Sequence, residues 1–165
     1  MHCLDSSVGT AAAPDGAHVH IAGADIGGET PELAANAMAE ITRASTEFIA
    51  TSLPDIAILI GDRLDMIPIA LALLPFNIPF AHIHGGEITE GAIDDRVRHA
   101  LTKMANLHFV ANQSAGARVR SMGEEAWRVY VTGAPGLDTL KATEGMDDFN
   151  ANARKLYRNF MKVVG

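Results

Sequence analysis

Apolar and polar positions follow two different periods along this chain, and the switches between them mark the elements. Thr30-Pro31-Glu32 has the chemistry of a helix start: a capping hydroxyl, a proline at the first helical position, then an acid. Leu33, Ala37, Ile41, Ala44 and Phe48 recur at spacings of three and four, which predicts one apolar helix face running to about Thr51, with Pro54 as the stop. Asp55 to Ile60 is continuous and branched, the pattern of a buried parallel strand. A helix is predicted over Leu64 to Leu74, with Pro68 tolerated near its first turns. Ile78 to Ile83 predicts a strand and Ile93 to Ala105 a helix. Leu107 to Ala111 predicts a strand, Gln113 to Met122 a helix stopped by Gly123, and Val129 to Thr132 a last strand.

The flanks are less patterned. Met1 to Gly16 is small, polar and irregular, His18 to Ala22 is a weak strand candidate, and Gly23 to Glu29 is a loop. Asp147 to Val164 carries Phe149, Ala153, Leu156, Phe160 and Val163 on one side and predicts an amphipathic helix. Strands alternating with helices predict an α/β fold, a parallel sheet flanked by helices. Asp62, the run from His84 to Glu87, Asn112 and the turn from Gly133 to Asp138 all fall just past strand C-termini. That edge of an open α/β sheet is where ligands bind, so a single cleft is expected there.

With 165 residues, 48% hydrophobic and 20% charged, the chain is the size of one domain with a proper core. A net charge of −7 without a lysine-rich run argues against broad nucleic-acid binding. The longest apolar stretch, near Met66 to Phe80, is broken by three prolines and is too short for a bilayer, so no membrane partner is expected. The first residues lack a basic region followed by an apolar one, as a signal peptide would have. Cys3 is the single cysteine, which excludes an internal disulfide and fits a reducing, cytoplasmic setting.

The densest chemistry lies between Ile78 and Lys103, where an apolar run breaks at His84-Gly85-Gly86-Glu87. His84 and Glu87 flank the glycine pair and suit general acid/base work; the plain alternative is a polar loop with a solvated acid. The glycines imply close approach by another group, a ligand or a neighbouring segment. His82 is expected to face away from His84 as a hydrogen-bonded core histidine. Asp62 either points into the cleft or caps the next helix. Asp94 with Arg98, and Asp95 with His99, are spaced to pair along a helix, and Asp94 could also reach the cleft. His82, His84, Glu87, His99 and His108 match no known metal-ligand spacing, so neither a metal nor another cofactor is expected. No Walker loop, Gly-x-Ser-x-Gly elbow or Gly-x-Gly-x-x-Gly is present.

Taken in order, these pieces resemble a known family. They are Gly61-Asp62-Arg63; His82-Ile83-His84-Gly85-Gly86-Glu87; Ile93-Asp94-Asp95; Arg98-His99-Ala100-Leu101-Thr102-Lys103; Leu107-His108-Phe109; and Gly133-Ala134-Pro135-Gly136-Leu137-Asp138. The set, strongest from Pro54 to Asp138, is similar to the hydrolysing UDP-N-acetylglucosamine 2-epimerases of sialic-acid and related nonulosonate synthesis. The resemblance implies a Rossmann-like lobe of a glycosyltransferase-B-type fold, and elimination of UDP from UDP-N-acetylglucosamine followed by addition of water. By motif position it implies catalytic roles for Asp62, His84 (a glutamate in some members) and Asp94. It implies substrate binding by Gly85, Gly86, Glu87, Arg98 and His99. The family's first strand and glycine-rich turn have no match here, nor does its second, nucleotide-binding lobe. Residues 1–165 are therefore expected to form one incomplete N-terminal lobe with little activity alone. A non-hydrolysing epimerase, or a non-catalytic remnant that binds sugar nucleotide weakly, are the rival readings, and a homo-oligomer is left open.

Overall fold

The computed structural model describes residues 2–5, 18–21, 30–89 and 93–134, the first two segments by their backbone course alone. Strands β1 (His2–Asp5) and β2 (His18–Ile21) pair in parallel as a separate two-stranded sheet. β2 falls where the sequence placed it. β1 corrects the expectation of an irregular start: His2 to Asp5 has no alternating pattern, and its strand character comes from the pairing partner rather than from local preference. The predicted helix over Asp147 to Val164 lies outside the described residues.

Helix α1 (Pro31–Ser52) begins as expected, the Thr30 hydroxyl accepting from the Leu33 amide at 3.2 Å. It ends where Leu53 turns left-handed at φ 39° and its amide returns to the Ile49 carbonyl, with Pro54 blocking continuation. Its inner face is rotated from the predicted one: Ile41, Ser45 and Ile49 are buried, while Leu33 is 53% exposed. The remaining elements are β3 (Ala57–Ile60), α2 (Met66–Leu73), β4 (Phe80–Ile83), α3 (Ile93–Met104), β5 (Leu107–Val110), α4 (Gln113–Ser121) and β6 (Val129–Val131). Each lies within two residues of its predicted bounds, and Pro68 sits in the first turn of α2. Among the described residues no helix is long and apolar enough to cross a membrane.

The main sheet is parallel with order β3-β4-β5-β6. Because the order runs one way and parallel crossovers are right-handed, α2, α3 and α4 must fall on one face. Leu59, Phe80 and the α1–α3 residues Ile41, Ile49, Ile69, Leu73, Val97 and Leu101 make the main core on that face. Val110, Ala115, Val119 and Val129 continue it under α4. Ala81, Ile83, Leu107 and Phe109 form an apolar cluster on the other face, with Tyr130 stacked on Phe109 at 5.6 Å.

One buried carboxylate ties three elements of the helix-covered face together. Glu124 receives Lys103 of α3 at 2.5 Å, His108 of β5 at 3.2 Å and Arg128 at 2.9 Å. Burial works to raise the Glu124 carboxyl, but the bonds from Lys103 and His108 outweigh it and hold the group below its usual range. Burial pushes His108 down, with Glu124 opposing the shift. Replacing this anchor leaves buried His108 and partly buried Arg128 facing an uncharged amide. Glu124→Gln is therefore expected to cost about 3 kcal/mol in urea unfolding. Glu125→Gln, one residue away and 63% exposed, is expected to stay within about 0.5 kcal/mol. Equal costs for the two would refute the anchor.

Candidate functional site

The C-terminal ends of β3 and β4 lie side by side and carry the site. Each strand leaves through a left-handed residue, Gly61 at φ +84° and His84 at φ +67°. The Gly61 amide donates to the Ile83 carbonyl and the His84 amide to the Phe109 carbonyl, both at 3.0 Å, so the two turns are stitched into the sheet. Residues two apart on a strand share a face. The separation of His82 from His84 therefore comes from the left-handed turn at His84, not from strand alternation, which corrects the basis of that expectation. His82 is fully buried beneath α3, whereas the His84 side chain is 22% exposed.

His84 Nδ1 lies 3.1 Å from Glu87 Oε1. A carboxylate only accepts, so Nδ1 carries the proton of the neutral ring and Nε2 is left bare. Between these two residues, the glycines are demanded by packing. A Cβ on Gly86, at φ +77°, would sit 2.4 Å from the Ala115 carbonyl of α4. A Cβ on Gly85 would sit 3.0 Å from Thr102 Oγ1 and 3.1 Å from His82 Nδ1. The close approach foreseen in the sequence is thus met by neighbouring segments. Arg118 of α4 also donates to the Gly86 carbonyl.

Asp62 does not cap α2; that position belongs to Asp65. Its carboxylate is held by Arg98 Nη2 instead. Arg98 is only 4% exposed. It also donates through Nη1 to Asp95 at 2.9 Å and through Nη2 to Thr89 Oγ1 at 3.0 Å. Asp95 in turn accepts from the Thr89 amide at 2.7 Å. Burial draws the Arg98 guanidinium below its ordinary range, yet flanked by two carboxylates it remains a cation. The helix partner of Arg98 is thus Asp95 rather than Asp94. Asp94 is half-buried at the start of α3 and forms no hydrogen bond or ion pair among the described residues. Asp95 does not pair with His99, whose Nδ1 is buried without a partner. Asn112 accepts from the Ala115 amide at 2.9 Å and caps α4.

The structure therefore joins Asp62 to Arg98 and His84 to Glu87 at adjacent strand ends. Thr89 and Asp95, which complete the Arg98 cluster, were not singled out from the sequence as site residues. The three-residue spacing of Asp95 and Arg98 was an available signal; the contact to Thr89 depends on the loop and was not. Of the turn from Gly133 to Asp138, residues 135–138 lie outside the described residues. Among the described residues no group of three or more His, Cys, Asp or Glu side chains could hold a metal ion. Two hollows, of about 370 Å³ beside Trp127 and about 290 Å³ beside Asn77, lie at the opposite, N-terminal edge of the sheet.

The family model for UDP-N-acetylglucosamine 2-epimerase matches residues 10–163. The chain belongs to this family. It is 41% identical over 107 residues to a UDP-N,N'-diacetylbacillosamine 2-epimerase (hydrolyzing) of Legionella pneumophila, covering 64% of this chain and 28% of that one. It is 43% identical over 81 residues to a GDP/UDP-N,N'-diacetylbacillosamine 2-epimerase (hydrolyzing) of Campylobacter jejuni, covering 49% and 21%. The chain thus spans about a quarter of the length of these curated relatives. In fold it is similar to the UDP-GlcNAc 2-epimerase of Neisseria meningitidis bound to UDP-GlcNAc. The TM-score is 0.64 at 19% identity, covering 76% of this chain and 35% of that one. The epimerase lobe is therefore a Rossmann-like part of a glycosyltransferase-B-type fold.

Gly86→Ala is expected to cost about 3 kcal/mol, because strain and a backbone clash add. Gly61→Ala, with open space around its Cβ, is expected to cost about 1 kcal/mol; denaturant unfolding of both compares them. His82 makes the stability depend on pH. Burial presses its pKa down to about 4 from 6.5, against the raising effect of its bond to Gly61, with His108 and His84 adding to the depression. The unfolded chain therefore holds more protons between these values, and stability is full above about 6.5 and falls on acidification toward about 4. The loss is on the order of 3 kcal/mol, and His108 adds to it in the same direction. Urea unfolding at pH 7.5, 6 and 5 measures the slope; a free energy that is flat or rises on acidification would contradict it.

Proposed function

We propose that this lobe serves a hydrolysing epimerase that converts UDP-N-acetylglucosamine, or a related N-acyl sugar nucleotide, to UDP and the free C2 epimer. The observation that supports this most is the placement of the Arg98-held Asp62 beside the His84–Glu87 pair, at adjacent strand ends. In the first half-reaction a base takes the proton from C2 of the hexose. The electron pair forms a C1=C2 double bond, the bond from C1 to the UDP oxygen breaks, and a glycal remains. In the second half-reaction water adds its hydroxyl to C1, and C2 takes a proton on the opposite face. The product is N-acetylmannosamine or its counterpart, a precursor for sialic acids and related nonulosonates.

This chain's residues divide the work by their surroundings. Asp62 is an acceptor aimed by Arg98 and suits a positioned proton carrier. His84, with Nδ1 held by Glu87, offers Nε2 to take and return a proton. Asp94, free of partners among the described residues, is the third proton-transfer group. The backbone of Gly85 and Gly86, with Glu87, Arg98 and His99, borders the sugar. The chemistry is proton transfer and elimination, so the proposal invokes neither a metal nor an organic cofactor. The diacetylbacillosamine relatives bring 2,4-diacetamido sugars into the candidate substrate class.

The test is UDP release together with N-acetylmannosamine formation, measured on this chain alone and on this chain joined at both ends to a relative's first strand with its glycine-rich turn and to its nucleotide-binding lobe. The joined form is expected to hydrolyse the sugar nucleotide. Asp62→Asn is expected to reduce kcat by about a hundredfold or more. Interconversion of the two sugar nucleotides without net UDP release would replace the proposal with the non-hydrolysing reaction. No turnover by either form would leave a sugar-nucleotide-binding remnant.

A further inference from the structure

The proton-transfer scheme makes no use of His82, although it is fully buried directly beneath the site. Its Nε2 lies 2.8 Å from the Gly61 carbonyl oxygen and its Nδ1 lies 3.2 Å from Thr102 Oγ1. A carbonyl can only accept, so Nε2 must carry the hydrogen. Nδ1 is then bare in the neutral ring and accepts from the Thr102 hydroxyl. Both contacts together admit one tautomer of the neutral ring.

The Gly61 carbonyl belongs to the peptide unit that leads into Asp62. On the preceding peptide unit, the Gly61 amide donates to the Ile83 carbonyl at 3.0 Å. β4 therefore grips Gly61 from both sides, through the Ile83 backbone and through the His82 ring. Asp62 extends from this fixed unit to Arg98, which lies one helical turn before Thr102 on α3, on the same face. The contacts close a loop: Thr102 to His82, His82 to Gly61, Gly61 to Asp62 along the chain, Asp62 to Arg98, and back along α3. Gly85 has space for no Cβ against the Thr102–His82 contact, so the turn bearing His84 rests on the same loop.

We propose that His82 and Thr102 are positioning residues, which set the Asp62 carboxylate against Arg98 by holding the Gly61 carbonyl. The importance of that placement for catalysis rests on the epimerase reading of Asp62; the placement itself does not, and the test keeps the two apart.

The first measurement is long-range proton–nitrogen NMR of the imidazoles on this chain. The expected pattern is a protonated Nε2 and a bare Nδ1 at His82 at neutral pH; the opposite tautomer would overturn the proposal. The second compares two amide variants. Glutamine at this position reaches about as far as Nε2 and can donate to Gly61, whereas asparagine reaches only as far as Nδ1. Exchange of the Arg98 Nη protons with water reports the grip of Asp62. His82→Gln is expected to keep wild-type protection. His82→Asn is expected to lose about tenfold, the scale of one buried hydrogen bond. Thr102→Val is expected to shift in the same direction, and Thr102→Ser to restore protection. The Leu101 backbone amide, on the same helix, controls for general loosening. Equal behaviour of the Gln and Asn variants, or loss of protection at Leu101 in step with Arg98, would reduce His82 to a core residue. If His82→Asn does not fold, the Thr102 pair and the wild-type tautomer decide alone. Absence of UDP release from every form would count against the epimerase reading and leave these NMR outcomes standing.

Discussion

A buried guanidinium must be surrounded by acceptors, and in this lobe that requirement fixes where three segments meet. Arg98 draws Asp62 from the end of β3, Thr89 from the loop after β4 and Asp95 from its own helix. Removing a cation of this kind from water is costly unless every direction is satisfied. The chain satisfies it with two carboxylates and a hydroxyl, leaving only Nε without a partner. The end of β3, the loop and the first turns of α3 are therefore not independent: each supplies part of one solvation shell.

The location of this cluster follows from the sheet. With the strands in order β3-β4-β5-β6 and right-handed crossovers, the described helices stack on one face, and the strand C-termini line up along one edge. Ligand sites in such sheets form at that edge because loops leaving it converge while the strands hold their roots rigid. β3, at the margin of the four, leaves Ile58 and Ile60 about half exposed. The Asp62–Arg98 cluster sits at that margin, and the His84–Glu87 pair sits one strand inward.

Much of this was readable from the residues. The strand runs DIAILI and LHFV, the Thr30-Pro31-Glu32 start and the Gly123 stop carry local chemistry that tertiary context did not override. The family motif placed Asp62, His84 and Arg98 at strand ends and on the following helix, where the structure has them. What was not legible depends on partners distant in sequence. Arg98 prefers Asp95 and Asp62 to Asp94 because the direction of a long side chain is set by where acceptors lie in space. The inner face of α1 turned toward Ile49 because the core under it is built by α2 and β3. Gly85 and Gly86 signalled a close approach by a ligand or a neighbouring segment, and which one could not be read locally; the space a Cβ would take at each is filled by α4 and by the Thr102–His82 contact. His84 in a left-handed turn could not be read from a strand pattern, since only glycine advertises that conformation.

The Glu124 anchor has a consequence for how such a lobe can diverge over generations. Lys103, His108 and Arg128 reach it from α3, β5 and the turn before β6. A drifting lineage cannot swap the acid for an aliphatic residue one codon at a time without taking the acceptor from buried His108 and from partly buried Arg128, while half-exposed Lys103 can turn to water. Exchange at this spot is expected to run in concert across positions 108, 124 and 128, with position 103 freer to vary because Lys103 is half exposed.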